Sequence, residues 1–262
     1  MRKTLATLVA AACLSIAYTS DTARPLPSNP QITIDWRSQL TPKLTQTHTD
    51  LPHGGQYYCV PTAASSALFY LQSAGYGLSL PSEQLDLIKE LGSRMNASEK
   101  GVLLPNLIRG LEGYLSKEAN QFAIRPTGFW LDSYADFHDQ VPDLKTIKAN
   151  QTALLVFGFY NFIKENNGYV RQGGHAVTFV GSTNPYELFI HDPLSENSKS
   201  PEKIYLEPFN TATKLSNGKS SYQVTSLYKI REWFPKKNDA VFLDAIIMIT
   251  VKDKTPIPNN QQ

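Results

Sequence analysis

The chain has 262 residues, 41% of them apolar and 18% charged, a balance that suits a folded globular protein and excludes an intrinsically disordered one. Its formal net charge is +2, and the only charged side chains before Asp21 are Arg2 and Lys3, so without residues 1–17 the charge is zero and no electrostatic case for nucleic acid or an anionic membrane remains. At about 150 residues per domain the length allows one or two domains, and a chain of this size builds a core without metal or disulfide staples.

Residues 1–20 are set aside before the fold is read. Arg2 and Lys3 make a basic start, residues 5–16 are apolar and Ala-rich, and Ser15 and Ala17 stand at the spacing a signal peptidase reads. This predicts a bacterial secretory signal peptide and a secreted, periplasmic or cell-envelope protein. Ala10-Ala11-Ala12-Cys13 offers an alternative, a lipoprotein box that would turn Cys13 into a lipid anchor. No apolar run of about 18 residues follows, so no membrane span is expected.

Residues 21–50 carry Pro25, Pro27, Pro30 and Pro42 among polar residues and read as an extended lead-in. Within them Ile32, Ile34 and Trp36 alternate with polar neighbours, which predicts a short strand or docking arm. Residues 61–74 are Ala- and Leu-rich without glycine and predict a buried helix. Residues 82–95 predict a second, capped by Ser82, with Leu85, Ile88 and Leu91 as its apolar stripe. Residues 103–115 predict a third through Leu104, Leu107, Ile108 and Leu111.

The chain then changes character. Residues 122–124 predict a strand, 144–150 a short helix, and 152–159, 175–182, 187–191, 203–206 and 240–251 further strands rich in Val, Ile and Phe. The polar segment 253–262, with Pro256 and Pro258, reads as a disordered tail. Helices first and strands later argue for an α+β fold, the helices packed against an antiparallel sheet. No repeat and no Pro- or Gly-rich linker divides residues 51–252, which are read as one domain.

There are two cysteines. With Cys13 in the leader, Cys59 is a lone thiol, either a buried bystander or a reactive group. Its surroundings favour reactivity. Gly54-Gly55 precede it, and in Tyr57-Tyr58-Cys59-Val60-Pro61-Thr62 a helix follows directly, with Pro61 in the first turn where its missing N–H does no harm. A sulfur at a helix N-terminus meets free N–H groups and the positive end of the macrodipole, which favour the thiolate.

A thiol nucleophile needs a base. Of five histidines, His175 stands out: it follows Gly173-Gly174 and is expected to open an apolar strand, with the glycines allowing a turn and close approach of a substrate backbone. Asp192, seventeen residues on, closes the next predicted strand, and an antiparallel return would bring its carboxylate to the imidazole. Its neighbour His191 would then point to the other face.

The segment from Gln56 to Leu71, then Gly173-Gly174-His175 with its strand, then Asp192-Pro193, resembles the papain-like cysteine peptidases of the bacteriocin-processing (double-glycine leader) type, and more closely their secreted, free-standing branch. The resemblance implies a papain-like fold, with a helical N-terminal part whose nucleophile helix packs on a C-terminal antiparallel sheet. It implies Cys59 as nucleophile, His175 as general base and acid, and Asp192 as the group that orients it. Two positions depart from the pattern. Val60 stands where the family commonly has glycine. The glutamine that supplies the oxyanion-hole amide lies six residues before the cysteine in many members, and here that position is His53; Gln56, three residues before, is taken as the donor, with His53 as rival.

The chemistry implied is hydrolysis of a peptide or amide bond through a thioester, with a peptide or protein as substrate. Tyr57, Tyr58 and Gly174 are candidate groove residues; for the tyrosines, packing of the loop against the core is the equal alternative. No metal-ligand spacing and no phosphate loop are present, so neither metal nor cofactor is expected. A monomer is expected. A transglutaminase-like acyl transferase and an inactive papain-like binding module are the competing readings.

Overall fold

The computed structural model describes residues 34–43, 45–116, 121–128, 144, 146–195, 200–225, 227–231 and 238–252. The expected leader with Cys13, the lead-in up to residue 33 and the expected tail at 253–262 lie outside the described residues. The fold is mixed α+β: among the described residues, four α-helices and one nine-stranded sheet.

The lead-in holds a helix, α1 (Ile34–Leu40), where a strand or arm was expected from Ile34 and Trp36. Tertiary contact explains the difference. The helix delivers Arg37 into the interior, where its guanidinium donates to the carbonyls of Gln151 (2.6 Å) and Lys148 (2.9 Å) and lies 4.4 Å from the centre of the Tyr70 ring. The Lys148 carbonyl belongs to the stretch 144–150 where a short helix was predicted. Leu144 and Thr146 there are in 3-10 helical turns, and residues 147–150 are non-helical and lead straight into a strand.

Helix α2 (Cys59–Ser73) is buried on nearly every side. Its small residues Ala63, Ala64 and Ala67 let it lie close to the sheet, and Leu68, Tyr70 and Leu71 fill the space above. Each such leucine contributes roughly 1.5–3 kcal/mol of burial. Helix α3 (Gln84–Arg94) buries Leu87, Ile88, Leu91 and Gly92. Ser82 does not cap it; Glu83 occupies the cap position without a side-chain bond. Helix α4 (Leu104–Leu115) starts with Pro105 in its first turn and buries Leu107, Gly110, Leu111 and Leu115.

The strands are β1 (Phe122–Gly128), β2 (Gln151–Ile163), β3 (Gly168–Asn184), β4 (Glu187–His191), β5 (Glu202–Phe209), β6 (Thr213–Ser216), β7 (Ser221–Val224), β8 (Leu227–Arg231) and β9 (Ala240–Val251). Strand β2 pairs with both β3 and β9, and β9 continues through β8, β5 and β4 back to β3. Six strands thus close into a ring, which removes their free edges. β1 extends β9 outside the ring, and the β6–β7 hairpin joins β3 by a parallel pairing, the one departure from the expected antiparallel sheet.

Alternation along the strands separates two cores. Leu154, Val156, Ala176, Ala245 and Ile247 face the helices. Leu155, Phe157, Val177, Phe179 and Phe242 fill the ring. Strand β3 begins at Gly168, so His175 lies inside a long strand and does not open one. The glycines before it are paired residues, not a turn: Gly174 faces Gly158 and Gly173 faces Phe159 across β2. The irregularity comes one residue earlier, where Phe159 pairs with Gly173 and Tyr160 with Arg171, leaving Gln172 as a bulge.

Candidate active site

Three pieces of the fold converge. Cys59 is the first residue of α2 and half-buried. Thr178 anchors that helix to β3, its hydroxyl donating to the Ala63 carbonyl at 2.8 Å. The β3–β4 hairpin turns at Asn184, whose carboxamide oxygen accepts from the N–H groups of Tyr186 (2.9 Å) and Glu187 (3.0 Å). The register then sets Thr178 opposite His191 and places Asp192 just past the end of β4, beside β3.

The imidazole of His175 is 4% exposed, and its Nε2 lies 2.6 Å from Asp192 Oδ1. The same carboxylate oxygen accepts from the Leu194 N–H at 2.8 Å, which fixes its direction. With Nε2 committed to Asp192, Nδ1 is the ring nitrogen left for Cys59, whose thiol is hydrogen-bonded to His175. The backbone N–H groups of Ala176 and Val60 also reach the sulfur.

These contacts set the charges. Burial pushes the Cys59 thiol up, but the His175 hydrogen bond and charge and the two N–H groups outweigh it, and the thiol falls below its ordinary value. Burial pulls His175 down, but the hydrogen bonds to Asp192 and Cys59 outweigh that and raise it to about 9. Thiolate and imidazolium therefore stabilise each other. His191, next to Asp192, is pushed down to about 4 by burial and by the charge of Lys43; its Nε2 is 3.4 Å from Ser38 Oγ, and it stands outside the group.

The loop before the cysteine is a tight left-handed turn, with positive φ at His53 (55°), Gly54 (62°) and Gly55 (78°). A side chain on Gly55 would collide with the backbone carbonyl of Gln46. Gln46 is 2% exposed, and its amide donates to the carbonyls of Gly55 (3.2 Å) and Gln56 (3.0 Å). Its own N–H donates to the Pro193 carbonyl at 2.8 Å. One residue thus ties the cysteine loop to the Asp192 loop. Gln46 carries no sequence signal, being a polar residue in a polar segment.

Gln56 is exposed; its backbone N–H donates to the His53 carbonyl and its carbonyl accepts from Gln46, and the structure does not join its side chain to the Cys59–His175 pair. His53 is exposed and meets Tyr57 edge-on at 6.0 Å. Tyr58 is 6% exposed and packs with Leu51 and Ile88 against Gly92, which secures the loop. Tyr57 is half-buried and Gly174 exposed. Among the described residues no cluster of His, Cys, Asp and Glu is placed to hold a metal ion, and no helix is long and apolar enough to cross a membrane.

Sequence reasoning missed one buried group near the site. Asp244 is fully buried in β9, where it accepts from Tyr160 Oη (2.6 Å) and Arg171 Nε (2.7 Å). A carboxylate inside the apolar run 240–251 was the available signal, because a buried charge requires partners.

In comparisons of sequence, no protein-family model and no curated protein matches the chain.

Proposed function

We propose that the protein is an exported thiol hydrolase of papain-like fold, cleaving a peptide or amide bond through Cys59, His175 and Asp192. The observation that carries the reading is the continuous chain from the Cys59 sulfur through the His175 ring to the Asp192 carboxylate, closed by a 2.6 Å bond. Its placement adds support: nucleophile at the start of a buried helix, base and orienter on adjacent strands. The basic and apolar stretch within residues 1–20 supports export.

In the mechanism, the thiolate attacks the substrate carbonyl and an oxyanion forms. The Cys59 N–H, which has no intrahelical acceptor at the first helical position, donates to it. His175 gives its proton to the leaving amine, and a thioester remains on Cys59. Water then attacks the thioester, with His175 taking the proton and Asp192 holding the ring. A missing second oxyanion donor would cost about 10²–10³ in kcat, so a slow enzyme is expected.

The test is hydrolysis of a panel of fluorogenic peptides by the wild type and Cys59→Ala, with mass spectrometry of the enzyme during turnover. Cleavage lost in the variant, with an acyl group on Cys59, supports the proposal. No cleavage by the wild type beyond that of Cys59→Ala contradicts it and favours an inactive papain-like binding module.

A further inference from the structure

Resting on the proposed hydrolase, we infer that Arg171 is a substrate-binding residue that takes a carboxylate of the peptide beside the scissile bond. Gly158 and Gly174 face each other across β2 and β3, and a side chain on either would fill space already used. At Gly158 it would strike the Asp244 carboxylate, and at Gly174 the Arg171 guanidinium. The two glycines therefore make room for one ion pair laid across the sheet.

Its inner end is fixed. Asp244 holds Arg171 Nε, and the Tyr160 hydroxyl donates to Asp244 and contacts the guanidinium. The outer end is open: the Arg171 side chain keeps 26% exposure, and its Nη2 edge lies over exposed Gly174. A guanidinium has five N–H donors, and Asp244 takes the one on Nε.

The position is what links this edge to the chemistry. Gly174 directly precedes His175, and Gly174 and Ala176 share one face of β3. The Ala176 N–H touches the Cys59 sulfur. Gly174, beneath the guanidinium edge, thus lies about 7 Å along the strand from Ala176 beside the nucleophile, two residues at roughly 3.3 Å each. That is the reach of a neighbouring residue of a bound peptide. Asp244 already balances the charge of Arg171, so what is offered is directed N–H donors and not long-range attraction. A planar carboxylate matches that fork better than any neutral acceptor. Both an acidic side chain and a peptide C-terminus supply it.

Three alkylating probes separate these sources without a known substrate: N-iodoacetyl-glutamine amide (neutral), N-iodoacetyl-glutamate amide (side-chain acid) and N-iodoacetyl-glutamine free acid (terminal acid). Labelling of Cys59 in the full chain is followed by mass spectrometry, and the acid-to-neutral rate ratio is read for each protein. The expected result is a ratio of about ten in the wild type for one acid probe, as a hydrogen bond to a charged group gives, falling to about one in Arg171→Gln. Because Arg171→Gln takes the cation from the buried Asp244 carboxylate, the double variant Arg171→Met/Asp244→Asn is read alongside, and loss of the ratio there also supports the inference. A wild-type ratio near one, or a ratio retained in a folded variant, overturns it. A Cys59 that reacts with every probe as an ordinary thiol marks failure of the hydrolase reading itself.

Discussion

At Cys59, burial and hydrogen bonding pull in opposite directions, and the balance decides whether the sulfur is inert or nucleophilic. His175 tips it toward the thiolate, and Asp192 tips His175 toward the imidazolium. The sign of the pH dependence follows. The reactive pair forms as pH rises through the lowered thiol value and is lost as pH rises through about 9, where His175 loses its proton. Asp192→Ala removes the largest of the raising influences on His175 and leaves burial against it. The alkaline limb of the pH–rate profile is expected to move down by about 1 to 3 units; a limb that stays near 9 contradicts the orienting role of Asp192. All three residues could be named from the sequence because each sits at a local punctuation: a helix start, a glycine pair, an Asp-Pro turn. The position of Gln56 was not legible, because the left-handed turn at 53–55 turns the loop in a way that spacing does not encode.

Elements hold this geometry through few bonds. Thr178 pins α2 to β3, and Gln46 pins the cysteine loop to the Asp192 loop. Thr178→Val removes one hydrogen bond and should cost about 0.5–1.5 kcal/mol, and Gln46→Leu removes two, to the Gly55 and Gln56 carbonyls, and should cost about 1–3 kcal/mol; urea unfolding midpoints give the numbers. The two differ at the site. Gln46→Leu loosens the loop that carries Cys59, so its iodoacetamide reactivity at pH 6.5 should drop, and unchanged reactivity in that variant would show that the loop holds without Gln46. Long periodic helices were legible in outline, with Leu107 and Leu111 on the expected face. Helix α1 was not, because its formation serves Arg37, whose partners lie more than a hundred residues away.

Across the whole molecule, the ring of strands gives the site a rigid wall with its own core. Its closure was hidden in the sequence: β8 is short, and the pairing of β2 with both β3 and β9 is a long-range fact. What the sequence did carry was the apolar run of β9, matched at both ends, with one charge inside it. That charge ties β9, β2 and β3 together through Tyr160 and Arg171. Asp244→Ala is expected to destabilise the fold by about 1–3 kcal/mol, the cost of taking this acceptor from Arg171 and Tyr160, while Arg171→Met/Asp244→Asn should recover most of it. Thermal unfolding of the three proteins checks this; equal loss in the single and double variants would show that packing, not charge, is what Asp244 provides.

The most direct test of the central claim is the pH dependence of Cys59 alkylation by iodoacetamide, read at the Cys59 peptide in the wild type and in His175→Ala. A thiolate held by His175 predicts a rate that stays high below pH 7 and drops in the variant. A rate that rises only near the ordinary thiol value of about 8.5, alike in both proteins, would contradict it.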